Sequence, residues 1–331
     1  GLFMASVIIT LAGCHLFTNG IEWLGKRMNI SEGAVGSVFA AVGTTLPETS
    51  IPIIAIFFGA GREQMEVGLG AILGAPFMLS TLVLPILALL LVLYAKLGKR
   101  TATFKLNYGE VRVDISFFLV SYVLALTCAM IPSKGFHIAV ALVLLAMYVY
   151  YMKLKFSAED EESEGGGDEL EPLLFARRST KPSYLVIGAQ GIVGLLGLVG
   201  GAHLFVTAAN SISAELQVSP LILALLIAPL ATELPEMSNS FLWLYRKKDR
   251  LAVGNVTGAM VFQGSIPVSV GLLGNGWTLG TTALATMVLA VIAMGLSLLQ
   301  AVWLGHWRPW LLSGSALLYL GYTLFLYTHG S

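Results

Sequence analysis

One short stretch of this sequence occurs twice, and the repetition constrains the fold more than any other feature. Gly43-Thr44-Thr45-Leu46-Pro47-Glu48 returns 188 positions later as Ala231-Thr232-Glu233-Leu234-Pro235-Glu236, each copy setting a carboxylate and a proline inside a long apolar run. The agreement continues in register. Gly13, His15, Leu16 and Phe17 match Gly201, His203, Leu204 and Phe205; Ser31 matches Ser219, and Ser50 matches Ser238. The chain therefore reads as two copies of one unit. With 56% hydrophobic and 11% charged residues and a mean hydropathy of +0.81, each copy is too apolar for a water-soluble globule and reads as a bundle of membrane helices. A zero net charge without a basic stripe gives nucleic acid no footing. Cys14 and Cys128 both lie in apolar segments, where they serve packing rather than a disulfide or zinc framework.

At about 20 apolar residues per span, the expectation is an all-α membrane protein of ten transmembrane helices. The first five cover Leu2–Leu24, Gly33–Gly59, Val67–Ala95, Val113–Ile131 and Phe136–Phe156; the second five cover Tyr184–Ala214, Val218–Tyr245, Leu251–Leu273, Thr278–Leu304 and Pro309–Tyr327. The first is read as a span rather than a signal peptide, because it lacks a cleavage site and has a partner later in the chain. An odd number of spans per copy turns the second copy upside down, the inverted repeat of secondary transporters, whose shared site lies near the midplane. Domain boundaries follow: residues 1–156 form the first five-helix repeat, 157–182 an acidic linker and 183–331 the second repeat. Of the 19 lysines and arginines, all but Arg62 and Lys134 fall on one side of this arrangement. The positive-inside rule then puts both termini outside and the linker in the cytoplasm, with the plasma membrane as the expected location. The linker, rich in Asp and Glu around Gly165-Gly166-Gly167, reads as a solvated tether, with calcium sensing as the alternative.

A carboxylate at bilayer depth is costly and marks a functional site by default. Pro47 has no N–H for the carbonyl of Gly43, and Pro235 none for that of Ala231, so each helix is expected to break just before its glutamate and free a backbone oxygen. Thr44 and Thr45 share a helical face with Glu48, as Thr232 and Glu233 do with Glu236. Glutamate, hydroxyl and carbonyl oxygens form a hard donor set that suits calcium better than a soft transition metal. The competing reading makes Glu48 and Glu236 protonated packing residues. Glu233 crowds a third carboxylate into one copy, which favours a bound proton or altered divalent selectivity. His15 and His203 are read as packing residues or a proton relay. Glycines 194, 197, 200 and 201 are read as close helix packing.

At these motifs the chain resembles the cation/calcium exchanger superfamily, whose two inverted five-helix repeats each carry a G-T-S-L-P-E-like signature on the second helix. In that family a G-N-x-x-G-S-N-like sequence opens each third helix. Gly254-Asn255-Val256-Thr257-Gly258-Ala259 keeps most of it, whereas Gly70-Ala71-Ile72-Leu73-Gly74-Ala75 keeps only the glycines. The resemblance implies that Asn255 and Gln263 help line the site, and that helices one and six move against a core of helices two, three, seven and eight. It implies a secondary antiporter rather than an enzyme, exchanging a divalent cation, calcium first, for Na+ or H+ by alternating access. Its partners are inorganic cations and the lipid bilayer, with no cofactor. The ion ligands expected are Glu48, Glu236 and Glu233, supported by Gly43, Thr44, Thr45, Ala231, Thr232, Asn255 and Gln263. The alternatives are a divalent cation channel and an exchanger for Mg2+ or Mn2+. An intramembrane hydrolase lacks a nucleophile or metal constellation.

Overall fold

The computed structural model describes residues 1–28, 46–59, 61–162, 171–217, 219–274 and 277–329; the side chains of 46, 47, 156–162, 228, 231, 234–236, 238, 239 and 327–329 lie outside that description. Every regular element among the described residues is helical. Helix α1 spans Leu2–Arg27, and α2 spans Leu46–Ile53 with a π turn at Ile54–Phe58. Helix α3 is a 35-residue rod, Arg62–Lys96. Then follow α4, Tyr108–Met130; α5, Lys134–Glu162; α6, Tyr184–Leu216; α7, Pro220–Thr232; and α8, Leu234–Tyr245. The chain ends with α9, Asp249–Leu273; α10, Thr281–Leu299, which runs on through a π turn at Gln300–Leu304; α11, Pro309–Gly314; and α12, Ala316–His329.

Local chemistry sets several of these boundaries. Asn107, Ser183 and Ser219 cap α4, α6 and α7 by accepting from backbone N–H groups of the first turn, and Pro220 takes the helical position where its missing N–H costs nothing. Inside α3, Pro76 is followed by a π turn at Leu79–Val83. The buried hydroxyls of Ser80 and Thr81 donate to the carbonyls of Pro76 and Phe77, satisfying backbone acceptors that water does not reach.

Eight stretches among the described residues are long and apolar enough to cross a membrane. Eight of the ten expected spans match them to within a few residues. The other two carry the repeated motif. The second is described only from Leu46 onward, and the seventh is divided into α7 and α8, each too short to cross alone. The linker also departs from expectation: α5 continues to Glu162, so the first part of the acidic stretch is helical rather than a free tether. Its far end is docked. Leu173 is fully buried against Trp23 and Ile187, and the Glu171 carbonyl accepts from Asn19 and Trp23.

Two packing units result. Helix α1 lies along α6, and glycine makes their close crossing possible. A Cβ on Gly13 would fall 2.4 Å from the backbone nitrogen of Leu198, and one on Gly194 2.4 Å from that of Phe17. Gly197 and Gly201 also face α1, but Gly200 meets nothing within 4 Å and plays no part in the crossing. In the larger unit, α3 packs on α7, α10 and α11, while α9 packs on α4, α5 and α8. Gly70 and Gly74 let α3 approach the backbone carbonyls of Leu221 and Leu225 in α7, so in this copy the third-helix glycines serve packing.

Candidate cation site

The division between α7 and α8 falls at Glu233, two residues before Pro235 and three before Glu236. Its backbone sits at φ −86°, ψ 0°, between the two helices. Pro235 has no N–H for the carbonyl four residues back, so the helical ladder loses one rung there. Flanking bonds hold the segments in line, with Glu233 N donating to Pro229 O at 2.9 Å and Met237 N to Glu233 O at 2.9 Å. The interruption is a local bend rather than a loop.

That bend directs the Glu233 side chain into the bundle, where it is 0% exposed. Gln263 on α9, itself 1% exposed, donates from Nε2 to Glu233 Oε1. Since an ionised carboxylate only accepts and the amide carbonyl also only accepts, this pairing turns Gln263 Oε1 away from Glu233. That oxygen is buried and meets no hydrogen-bond donor. A buried acceptor without a donor costs about 1–3 kcal/mol, and a cation would satisfy it. Glu48 on α2 is 4% exposed, and α2 packs directly against α9 and touches α7. Ser50 and Thr232 are buried on the same elements. Two buried carboxylates thus stand on helices that meet α9, together with an amide oxygen and hydroxyls, in a set that holds no sulfur or imidazole.

The remaining expected residues distribute unevenly. Gly43, Thr44 and Thr45 lie outside the described residues; Ala231 and Glu236 lie in α7 and α8, with side chains outside them. Asn255 donates from Nδ2 to Ser240 Oγ on α8 at 3.0 Å, so it ties α8 to α9. His15 and His203 are both exposed, and His15 stands 4.0 Å from a Glu171 carboxylate oxygen at the surface of α1 rather than beside a buried acid. Cys14 and Cys128 are buried thiols, as packing residues should be. Among the described residues no three His, Cys, Asp or Glu side chains are grouped to hold a metal, so the described part of the site offers mixed carboxylate, amide and hydroxyl oxygens. Sequence reasoning missed Ser240 and a buried acid in α4, Asp114. The signal for Asp114 was available, because it is a carboxylate inside an apolar span.

The sequence matches the family described as sodium/calcium exchanger protein over residues 1–156 and 188–328. It is 24% identical over 276 residues to an uncharacterised membrane protein of Methanocaldococcus jannaschii, covering 82% of this chain and 81% of that protein. Among solved structures, the crystal structure of the H+/Ca2+ exchanger CAX aligns with a TM-score of 0.74 at 18% identity, covering 98% of this chain and 81% of that one. The sodium-calcium exchanger NCX_Mj, soaked with Na+ and Sr2+, aligns with a TM-score of 0.51 at 22% identity, covering 97% of both chains.

Proposed function

Because this chain belongs to the sodium/calcium exchanger protein family, we propose that it is an antiporter that carries a divalent cation, calcium first, against Na+ or H+ through a site built on Glu48, Glu233, Glu236 and Gln263. The observation that carries the reading is the buried Glu233–Gln263 pair, in which the Gln263 amide oxygen meets no donor and sits on a helix packed against the one that bears Glu48. Thr44, Thr45, Thr232 and the carbonyls of Gly43 and Ala231 complete the oxygen set. Competition couples the fluxes: the same carboxylates bind either the divalent cation or its counter-ion, so only a loaded carrier turns over. Glu233, an acid where the resembled signature has a neutral Ser or Thr, favours the proton as counter-ion. With their exposed side chains, His15 and His203 are assigned no relay step.

The two repeats, residues 1–156 and 183–331, are proposed to be inverted copies of five spans each, joined by a cytoplasmic linker at 157–182. Reciprocal packing supports this. The third helix of the first copy, α3, lies on the fourth of the second, α10, and α9 of the second copy lies on α4 of the first. Helices α1 and α6, equivalent elements of the two copies, pair with each other, as elements beside a pseudo-twofold axis do. That pair is the unit proposed to move during alternating access, against α2, α3 and α7, with which it shares a core.

The test is calcium uptake into proteoliposomes under an outward sodium gradient, an outward proton gradient, or neither. Uptake driven by one gradient and lost in Glu48→Gln is the expected result. Uptake indifferent to both gradients, or undiminished in both Glu48→Gln and Glu236→Gln, overturns the reading.

A further inference from the structure

Asp114 is a second buried acid, 2% exposed, and it plays no part in the site above. Its carboxylate joins three helices. Oδ2 accepts from Thr257 Oγ1 of α9 at 2.7 Å, while Oδ1 accepts from Tyr151 Oη of α5 at 3.1 Å and pairs with Lys155 Nζ of α5 at 2.7 Å. Lys155 keeps 27% of its side chain exposed, so its stem reaches inward and its charge neutralises the acid. A fully partnered carboxylate binds no cation of its own, and its action is mechanical.

Thr257 follows Asn255 by two residues, or about 200° around a helix. The Asn255–Ser240 bond and the Thr257–Asp114 bond therefore hold α9 from nearly opposite faces, one towards α8 and the other towards α4 and α5. Gln263 lies about 9 Å further along the same helix. A side chain about 5–6 Å from the axis moves by about 2 Å when the helix turns by about 20°, enough to break the hydrogen bond to Glu233. We propose that Asp114 and Thr257 are positioning residues that fix the rotation of α9 and so keep the Gln263 amide on Glu233, setting the affinity of the cation site. This rests on the antiporter site described above.

The test measures equilibrium calcium binding by purified protein in detergent. Thr257→Val removes the hydroxyl, keeps the shape and leaves the Asp114–Lys155 pair in place. It is expected to weaken calcium binding by about tenfold or more, the usual effect of losing a group that orients a ligand, and to lower the thermal midpoint because Asp114 Oδ2 loses a donor. Thr257→Ser is expected to bind like the parent. In a Gln263→Met background, Thr257→Val is expected to add nothing, because its effect passes through Gln263. The double variant Asp114→Asn/Lys155→Gln keeps an acceptor for Thr257 without buried charge and is expected to retain parental affinity. Parental affinity in Thr257→Val, or an undiminished effect of it in Gln263→Met, overturns the proposal. Parent protein that binds calcium but exchanges none refutes the antiporter reading and leaves the positioning result standing. Parent protein that binds none overturns both.

Discussion

Gln190 shows how much one polar side chain can hold inside an apolar bundle. It is fully buried on α6, donates from Nε2 to the Leu16 carbonyl at 3.0 Å and to Asn19 Oδ1 at 2.9 Å, and accepts at Oε1 from Phe175 N at 2.8 Å. Asn19 in turn bonds Glu171 O and Leu174 N, so two amides stitch α1, α6 and the end of the linker together. Gln190→Leu keeps the volume but leaves Phe175 N and Asn19 short of partners, at about 1–3 kcal/mol. A fall of several degrees in the thermal midpoint of purified protein is expected, and an unchanged midpoint would refute the role. Glu48 and Glu236 were legible as candidates from sequence because a carboxylate and a proline are both costly within an apolar run, and the chain keeps them together twice. The role of Gln190 and the partners of Asp114 were not. A lone polar residue announces that it needs a partner, but which partner depends on helices that meet only in three dimensions. The same limit hid Ser240 behind Asn255.

Among whole elements, hydrophobic run length predicted most helices to within a few residues, since membrane thickness leaves little freedom. It failed where polarity stopped reporting the backbone. Helix α5 carries straight through the change from apolar to acidic residues and reaches Glu162, because acids outside the membrane do not by themselves end a helix. The break in the seventh span was foreseen from Pro235, but its position at Glu233 depends on the Pro229 and Met237 bonds on either side. Helix α9 is anchored by chemistry that no periodicity records. Asp249 in its first turn is buried and pairs with Arg100, whose Nη1 also donates to Leu244 O at 3.0 Å, while Lys105 N donates to Asp249 Oδ2 at 2.8 Å. The segment between α3 and α4 thereby fastens the α8–α9 corner. Removing one partner of such a pair leaves an uncompensated buried charge, at about 3–5 kcal/mol. Arg100→Met should lower the thermal midpoint sharply, and Arg100→Met/Asp249→Leu should recover much of the loss. A double variant no better than the single would mean that the charge pair is not what fastens this corner.

For the molecule as a whole, the duplicated motif and the one-sided distribution of cations point to the same arrangement from independent grounds. A motif repeated in register says that there are two like units; the side on which Lys and Arg gather says how each unit lies in the membrane. The number of spans is what joins the two. If the copies are alike, five spans each would put the C-terminus across the membrane from the linker and invert the second copy, whereas four or six each would put both on one side and leave the copies parallel. In the parallel case Glu48 and Glu236 would sit on equivalent faces instead of meeting about a pseudo-twofold, and a single site shared by α2, α7, α8 and α9 would lose its rationale. Single cysteines decide between these in a background freed of Cys14 and Cys128. In right-side-out vesicles, a membrane-impermeant maleimide should label Ser331→Cys directly, and Gly166→Cys only after the membrane is permeabilised. Labelling of both positions without permeabilisation, or protection of both, would give each of two like copies an even number of spans. The inverted repeat would then be wrong, and with it the reason for treating the two glutamate motifs as halves of one site.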